Sequence, residues 1–297
     1  MDGNWPAAII LALAATLAPA YLPASAQVVA IRPSAPDIGT PQIIGGKQVG
    51  ATEYPATWVF QAGRLGCTAT AIGPETILTA AHCIADTPLG AVQTAAGSID
   101  LTCTSYPGWT DRYPQTTSTY DIALCLDTDK KIPRIPLESD TTYERVSLVS
   151  DEIAPKTQVT LLGYGCTSDP NKNGYLYAGT AITTRKDAGA YVIVGAGEVQ
   201  FCPGDSGGAV YREIGSYRRE IAGIASRGDS TTSWITQTAA SDVAHFLRRW
   251  SQHHAICGIN APKGMCHDWP ASGCCGRVVP LDACRHRTRG ADGVLQS

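Results

Sequence analysis

The chain has 297 residues, 44% of them hydrophobic, with a formal net charge of −3. It is long enough for one large or two small domains with a real core, and the absence of any basic run argues against nucleic acid as a partner. Eleven cysteines point to export into an oxidising compartment.

In chain order, the first element is an apolar run from Ala7 to Leu22, broken by Pro19 and followed by Pro23-Ala24-Ser25-Ala26. The run is short for a bilayer span, and Ala24-x-Ala26 is the small-residue pattern after which signal peptidase cuts. Residues 1–26 therefore read as a signal peptide, with a membrane anchor or a core helix as the alternatives. The charge pattern departs from the usual one: the residues ahead of Ala7 include Asp2 and no Lys or Arg. The expected destination is extracellular or periplasmic, with no membrane contact once the signal is removed. Residues 27–42, rich in proline and small side chains, read as an exposed leader. The stretch at 39–48, GTPQIIGGKQ, has three readings. Ile43-Ile44 can open a buried strand, but Gly45 and Gly46 weaken one at once. It can be a loop-to-strand join, or a cleavage site that makes Ile43 a new N-terminus.

Between Ile43 and about residue 252, short runs rich in Thr, Val and Ile alternate with Gly and Pro, which predicts many strands joined by tight turns. Thr57–Gln61, Thr76–Thr79, Gln158–Leu162 and Tyr191–Val194 are the clearest. The polar stretch Asp127–Asp140, with Pro133 and Pro136, links two halves. Ser241–Gln252, SDVAHFLRRWSQ, predicts a helix capped by Ser241, with Val243, Phe246, Leu247 and Trp250 on one face. Residues 253–297 read as a separate tail that holds Cys257, Cys266, Cys274, Cys275 and Cys284. Their spacing gives no clear zinc pattern, and His267 beside Cys266 adds little, so a disulfide-stapled tail without metal is expected. The odd number leaves one cysteine free or paired elsewhere, and a binding role for the tail stays open.

Three short motifs carry chemistry: Thr79-Ala80-Ala81-His82-Cys83, Tyr120-Asp121-Ile122-Ala123-Leu124, and Cys202-Pro203-Gly204-Asp205-Ser206-Gly207-Gly208. Singly they say little. A histidine beside a cysteine is more often structural, and Asp121 alone reads as a strand-end or turn residue. Ser206 is more suggestive, because flanking glycines let backbone N–H groups approach a reacting atom. A serine hydroxyl is a poor nucleophile until a base takes its proton, and the three motifs together supply nucleophile, base and orienting carboxylate.

With the Ile43-Ile44-Gly45-Gly46 start, these motifs in this order resemble the trypsin/chymotrypsin-like serine peptidases. Gly163-Tyr164-Gly165 resembles that family's Gly-Trp-Gly segment, and the helix resembles its closing helix. The resemblance covers about residues 43–252. It implies an all-β fold of two six-stranded antiparallel β-barrels packed face to face, with a C-terminal helix. It implies that His82, Asp121 and Ser206 form a catalytic triad, with the N–H groups of Gly204 and Ser206 as the oxyanion hole. It implies that residues 27–42 are an activation propeptide and that the ammonium freed at Ile43 pairs with Asp205. Gln42 departs from the Arg or Lys usual before that cut, so the expected activator is a peptidase of another specificity, or the enzyme itself. Gln200 falls at the base of the primary specificity pocket, followed by Phe201. Ser226, Arg227 and Gly228 resemble the strand that pairs with substrate, Ser233 falls on the pocket wall, and Asp229 lies near its mouth. An amide offers no counter-charge to a buried cation, so a neutral residue before the cut bond is expected. Cys67 with Cys83 and Cys166 with Cys202 match family bridges; Cys103 with Cys125 follows largely by elimination. Protein or peptide substrates are implied, with no cofactor and no metal. The alternative is an inactive homologue that binds through its surface and tail.

Overall fold

The computed structural model describes residues 43, 45–50, 52–94, 97–109, 120–128, 143–149, 153, 155–165, 174–187, 190–194, 199–214, 218–228, 232–262 and 264–266, with backbone alone at 185–187 and 190–194. Residues 129–140 of the linker, the leader, Cys166, Asp229 and the tail beyond Cys266 lie outside these residues, while Asp127 ends a strand.

Six strands close into an antiparallel barrel: β2 (Thr57–Ala62), β3 (Leu65–Ala71), β4 (Ile77–Thr79), β7 (Ala123–Asp127), β6 (Gly97–Ser105) and β5 (Leu89–Thr94), in that spatial order. Closure follows from the pairing of β5 with β2, which joins the two ends of the strand order. In β6, Ile99, Leu101 and Cys103 point inward while Asp100, Thr102 and Thr104 point to solvent, the period-2 pattern of a strand buried on one face. Phe60, Ile77, Leu78, Leu101 and Leu124 belong to the core around it and have no exposed surface. Gly90 is obligatory beside this core, because a Cβ there would sit 2.4 Å from the Phe60 ring. The expected runs at 57–61 and 76–79 are β2 and β4.

The second half is an eight-stranded antiparallel sheet. Its strands are β1 (Lys47–Gln48), β8 (Gln158–Gly163), β9 (Tyr177–Ile182), β10 (Arg185–Asp187), β11 (Ala190–Val194), β12 (Ala209–Ile214), β13 (Arg218–Gly228) and β14 (Thr232–Gln237). Their order is β1-β9-β8-β12-β13-β14-β11-β10. The sheet exceeds the expected six strands because β1 adds an edge beside β9 and β10 extends the opposite edge beside β11. Ile43, Val159, Leu161, Tyr177, Val210 and Ile235 belong to its own core. The architecture is the all-β, two-barrel plan with one C-terminal helix among the described residues.

That helix, α1 (Ser241–Ser251), follows the second half but packs on the first. Phe246 meets Tyr106, at the end of β6, edge-on at 5.7 Å, and Trp250 Nε1 donates to Thr76 Oγ1 at 3.2 Å. Val243, Phe246 and Leu247 are buried as expected. The helix starts at Ser241 as expected, but Ser241 is its first helical residue and not its cap: Ala240 is the N-cap, its carbonyl accepting from Ala244 N–H at 2.8 Å. The chain then remains packed beyond residue 252. Cys257 N–H donates to Ile72 O and its carbonyl accepts from Val146 N–H, both at 2.8 Å. Ile256 and Cys257 are fully buried, and Cys257 is bonded to Cys266. Two further disulfides join Cys67 to Cys83 and Cys103 to Cys125; Cys202 is also disulfide-bonded, its partner lying outside the described residues.

Candidate active site

Strand pairing brings His82 and Asp121 together. β4 runs antiparallel to β7 with Thr79 opposite Ala123, so the residues after Thr79 and those before Ala123 emerge at the same end. A 3-10 turn, Ala81–Ile84, carries His82 there. Asp121 Oδ1 accepts the His82 backbone N–H at 2.9 Å, and Oδ2 lies 2.7 Å from His82 Nδ1. The carboxylate is 5% exposed. Burial pushes its pKa up, but the His82 charge and hydrogen bonds from His82 and Ser226 outweigh burial and hold it below the ordinary aspartate value. An imidazole bound this way keeps its proton on Nδ1 and leaves Nε2 as the base. The preceding Tyr120 has φ +72°, a conformation that costs about 1–3 kcal/mol for a non-glycine residue and persists only where its surroundings fix it.

Ser226 donates to Asp121 Oδ2 at 2.6 Å. A shift of register explains this. Ala225 pairs with Ile235 but Arg227 pairs with Trp234, so Ser226 is the extra residue of a bulge, and a bulge re-aims a side chain. The sequence placed Ser226 in the substrate strand; its contact with Asp121 carries no local signal.

The loop that bears Ser206 is built from tight turns. Asp205 N–H donates to Cys202 O at 3.0 Å, Gly208 N–H donates to Asp205 O at 2.8 Å, and Gly204 has φ +102°. Thr68 N–H donates to Ser206 O at 2.8 Å. The Cys83 sulfur lies 3.8 Å from Ser206 O and 3.8 Å from His82 Nε2, so the Cys67–Cys83 bridge sits between the serine and histidine segments. Among the described residues the N–H groups of Gly204 and Ser206 engage no partner.

Asp205 turns away from that surface. It is fully buried, with Oδ1 accepting Gly165 N–H and Oδ2 accepting Cys202 N–H, each at 2.8 Å. A Cβ at Gly163 would lie 2.1 Å from Oδ1, and one at Gly165 2.5 Å from the carboxyl carbon, which accounts for the Gly-Tyr-Gly segment. Burial raises the Asp205 pKa to about 7, against the pull of the two N–H groups. Ile43 is fully buried in the core that also holds Val199 and Phe201.

Gln200 and Phe201 are buried, at 2% and 6% exposure. Phe201 N–H donates to Ser233 Oγ at 3.0 Å, and a Cβ at Gly228 would lie 3.4 Å from Phe201 O. The 200–201 and 226–233 segments therefore meet. The Arg227 guanidinium lies over the Trp234 ring, 5.0 Å from its centroid.

A buried carboxylate–imidazole pair beside a glycine-flanked serine, between two antiparallel β units, is the class of arrangement that serves acyl transfer. The Trypsin family model matches residues 43–249; the chain belongs to that family and is a serine-type endopeptidase. Its fold is similar to that of a Glu endopeptidase solved in complex with MPD, with 20% identity, TM-score 0.54, and 70% of this chain and 97% of that one covered. It is also similar to neuropsin, a serine protease expressed in the limbic system of mouse brain, with 15% identity, TM-score 0.55, and 69% and 98% covered. Human heparin binding protein matches with 15% identity, TM-score 0.55, and 72% and 98% covered. No curated protein matches the sequence. Among the described residues no helix is long and apolar enough to cross a membrane.

Proposed function

We propose that the chain is a secreted endopeptidase that cuts peptide bonds through an acyl-enzyme on Ser206. The observation that carries this is the buried Asp121 carboxylate bound to His82 Nδ1 at 2.7 Å, with the His82 and Ser206 segments held at one disulfide sulfur. Ser206 Oγ attacks the scissile carbonyl and its proton passes to His82 Nε2. The C–N bond breaks, the amine leaves with that proton, and water repeats the sequence to release the acid. The N–H groups of Gly204 and Ser206 face the oxyanion; one such donor is worth about 2.7–4 kcal/mol of barrier.

The activity is released by a cut between Gln42 and Ile43, made by a peptidase that is not trypsin-like or by a second copy of the chain. The freed ammonium pairs with Asp205, whose burial without a cation is costly. The pocket containing Gln200 and Phe201 favours a neutral residue before the cut. Residues 1–26 direct the chain out of the cytoplasm, and the tail past Cys266 supplies a surface for a partner. The test is labelling with a fluorophosphonate. The chain beginning at Ile43 reacts at Ser206, Ser206→Ala does not react and hydrolyses nothing, and the chain beginning at Gln27 reacts slowly. Turnover by folded Ser206→Ala would remove Ser206 from the role, and equal activity of the two N-terminal forms would sink the zymogen reading.

A further inference from the structure

Thr68 stands next to Cys67 in β3, is fully buried and touches no surface that a substrate can reach. All of its polar groups are nevertheless spent on the segments that carry the site. Its N–H donates to Ser206 O at 2.8 Å. Its hydroxyl donates to Gly204 O at 2.9 Å and accepts from Tyr164 N–H at 2.9 Å. Its carbonyl accepts from Thr79 Oγ1 at 2.9 Å, at the strand end that leads to His82. One residue of the first barrel thus grips the carbonyls of the residues on each side of Asp205 and the strand before the histidine.

The hydroxyl contact has the sharper consequence. Gly204, at φ +102°, has no Cβ to select one orientation of its peptide groups, so orientation must be imposed from outside. Among the described residues the Thr68 hydroxyl is the donor that Gly204 O has. This bond pins the Gly204–Asp205 peptide plane and with it the Cα atoms of Gly204 and Asp205, from which the Pro203–Gly204 and Asp205–Ser206 peptides, carrying the Gly204 and Ser206 N–H groups, extend. The Tyr164 N–H fixes the hydroxyl in turn, leaving its proton for Gly204. The adjacent Gly207 leaves room for the grip, since a Cβ there would lie 2.4 Å from Thr68 O and 2.2 Å from Thr79 Oγ1.

We propose that Thr68 is a positioning residue for this endopeptidase: its hydroxyl fixes the Gly204–Asp205 peptide, and through the Cα atoms at its two ends limits the movement of the Gly204 and Ser206 N–H groups that receive the oxyanion. The inference rests on the serine-peptidase reading above. The experiment compares wild type, Thr68→Val and Thr68→Ser, each cut at Ile43 and normalised by fluorophosphonate titration. The probes are a peptide amide with a neutral residue before the scissile bond and a peptide aldehyde, whose adduct with Ser206 bears the oxyanion. Thr68→Val keeps the volume and removes the hydroxyl. It lowers kcat by about ten-fold while KM moves less than about two-fold, because the loss is confined to the transition state. Aldehyde affinity falls by a similar factor, and Thr68→Ser restores both. If Thr68→Val does not fold, Thr68→Ala is read in its place. A hydroxyl-free variant that matches wild type in kcat and aldehyde affinity overturns the proposal, as does a Thr68→Ser as impaired as Thr68→Val. A wild type that neither turns over substrate nor reacts with fluorophosphonate overturns the serine-peptidase reading itself.

Discussion

Under the proposed function, Gln200 is the residue on which selectivity is expected to turn. It is buried, so a substrate cation that reached it would lose hydration, at a cost of several kcal/mol without an opposite charge. An amide dipole returns about 0.5–1.5 kcal/mol as a net hydrogen bond, or roughly 1.5–3 to a charged group. Substrates with Arg or Lys before the cut bond are expected to trail neutral ones in kcat/KM, at tenfold for each ~1.4 kcal/mol. Gln200→Asp raises the relative rate on Arg and Lys. A matched peptide series that varies only this residue checks both statements, and a series led by Arg and Lys in the wild type refutes them. The three motifs are legible in the sequence because each is short and its chemistry requires contiguous residues. The contacts of Ser226 and Thr68 are not. The first depends on a slip of register between β13 and β14, and the second on the meeting of two halves more than a hundred residues apart in the chain.

At the scale of elements, α1 acts as a strap from the second half to the first. Phe246 is 9% exposed and touches Tyr106 and Trp250. Phe246→Ala removes a ring whose deletion from a core costs about 3–5 kcal/mol. A loss near the lower figure is expected in denaturant unfolding, together with faster proteolysis at the helix. A loss below about 0.5 kcal/mol, the range of surface substitutions, would mean that the strap carries no load. The apolar face of this helix can be read from its 3.6-residue spacing. Its cap is not legible, because Ala240, without a capping side chain, supplies the first carbonyl. The half it covers is not encoded locally, since the face is equally apolar toward either. Strand positions were legible for the same periodic reason, whereas closure of one sheet and the added edges of the other are set by pairing.

For the whole molecule, Asp205 ties stability to pH. Its pKa in the uncut chain is about 7, against an ordinary 3.8. The folded state therefore holds a proton there that the unfolded chain releases. That stability is complete below about pH 4 and is lost as pH rises through about 7. At roughly 1.4 kcal/mol per unit, the effect is on the order of a few kcal/mol. Asp121 acts in another window: its pKa is depressed below 3.8, so its contribution is lost only in stronger acid. The uncut Ser206→Ala chain is expected to show a melting temperature that falls between about pH 4 and 7, and Asp205→Asn in that background flattens the fall. A melting temperature that rises across this window would contradict the assignment.

The strand of chain that ends at Cys266 lies between Ile72 and Val146, where Cys257 bonds to both. A ribosome delivers that segment after both β units and α1. Until residue 257 arrives, the Ile72 carbonyl and the Val146 amide lack the Cys257 groups that answer them in the folded chain. A nascent chain already holding His82, Asp121 and Ser206 is thus still unfinished at residue 252. Completion of the described fold is coupled to synthesis through Cys257 and Cys266, well after the site residues, and a product interrupted before them lacks this closing segment.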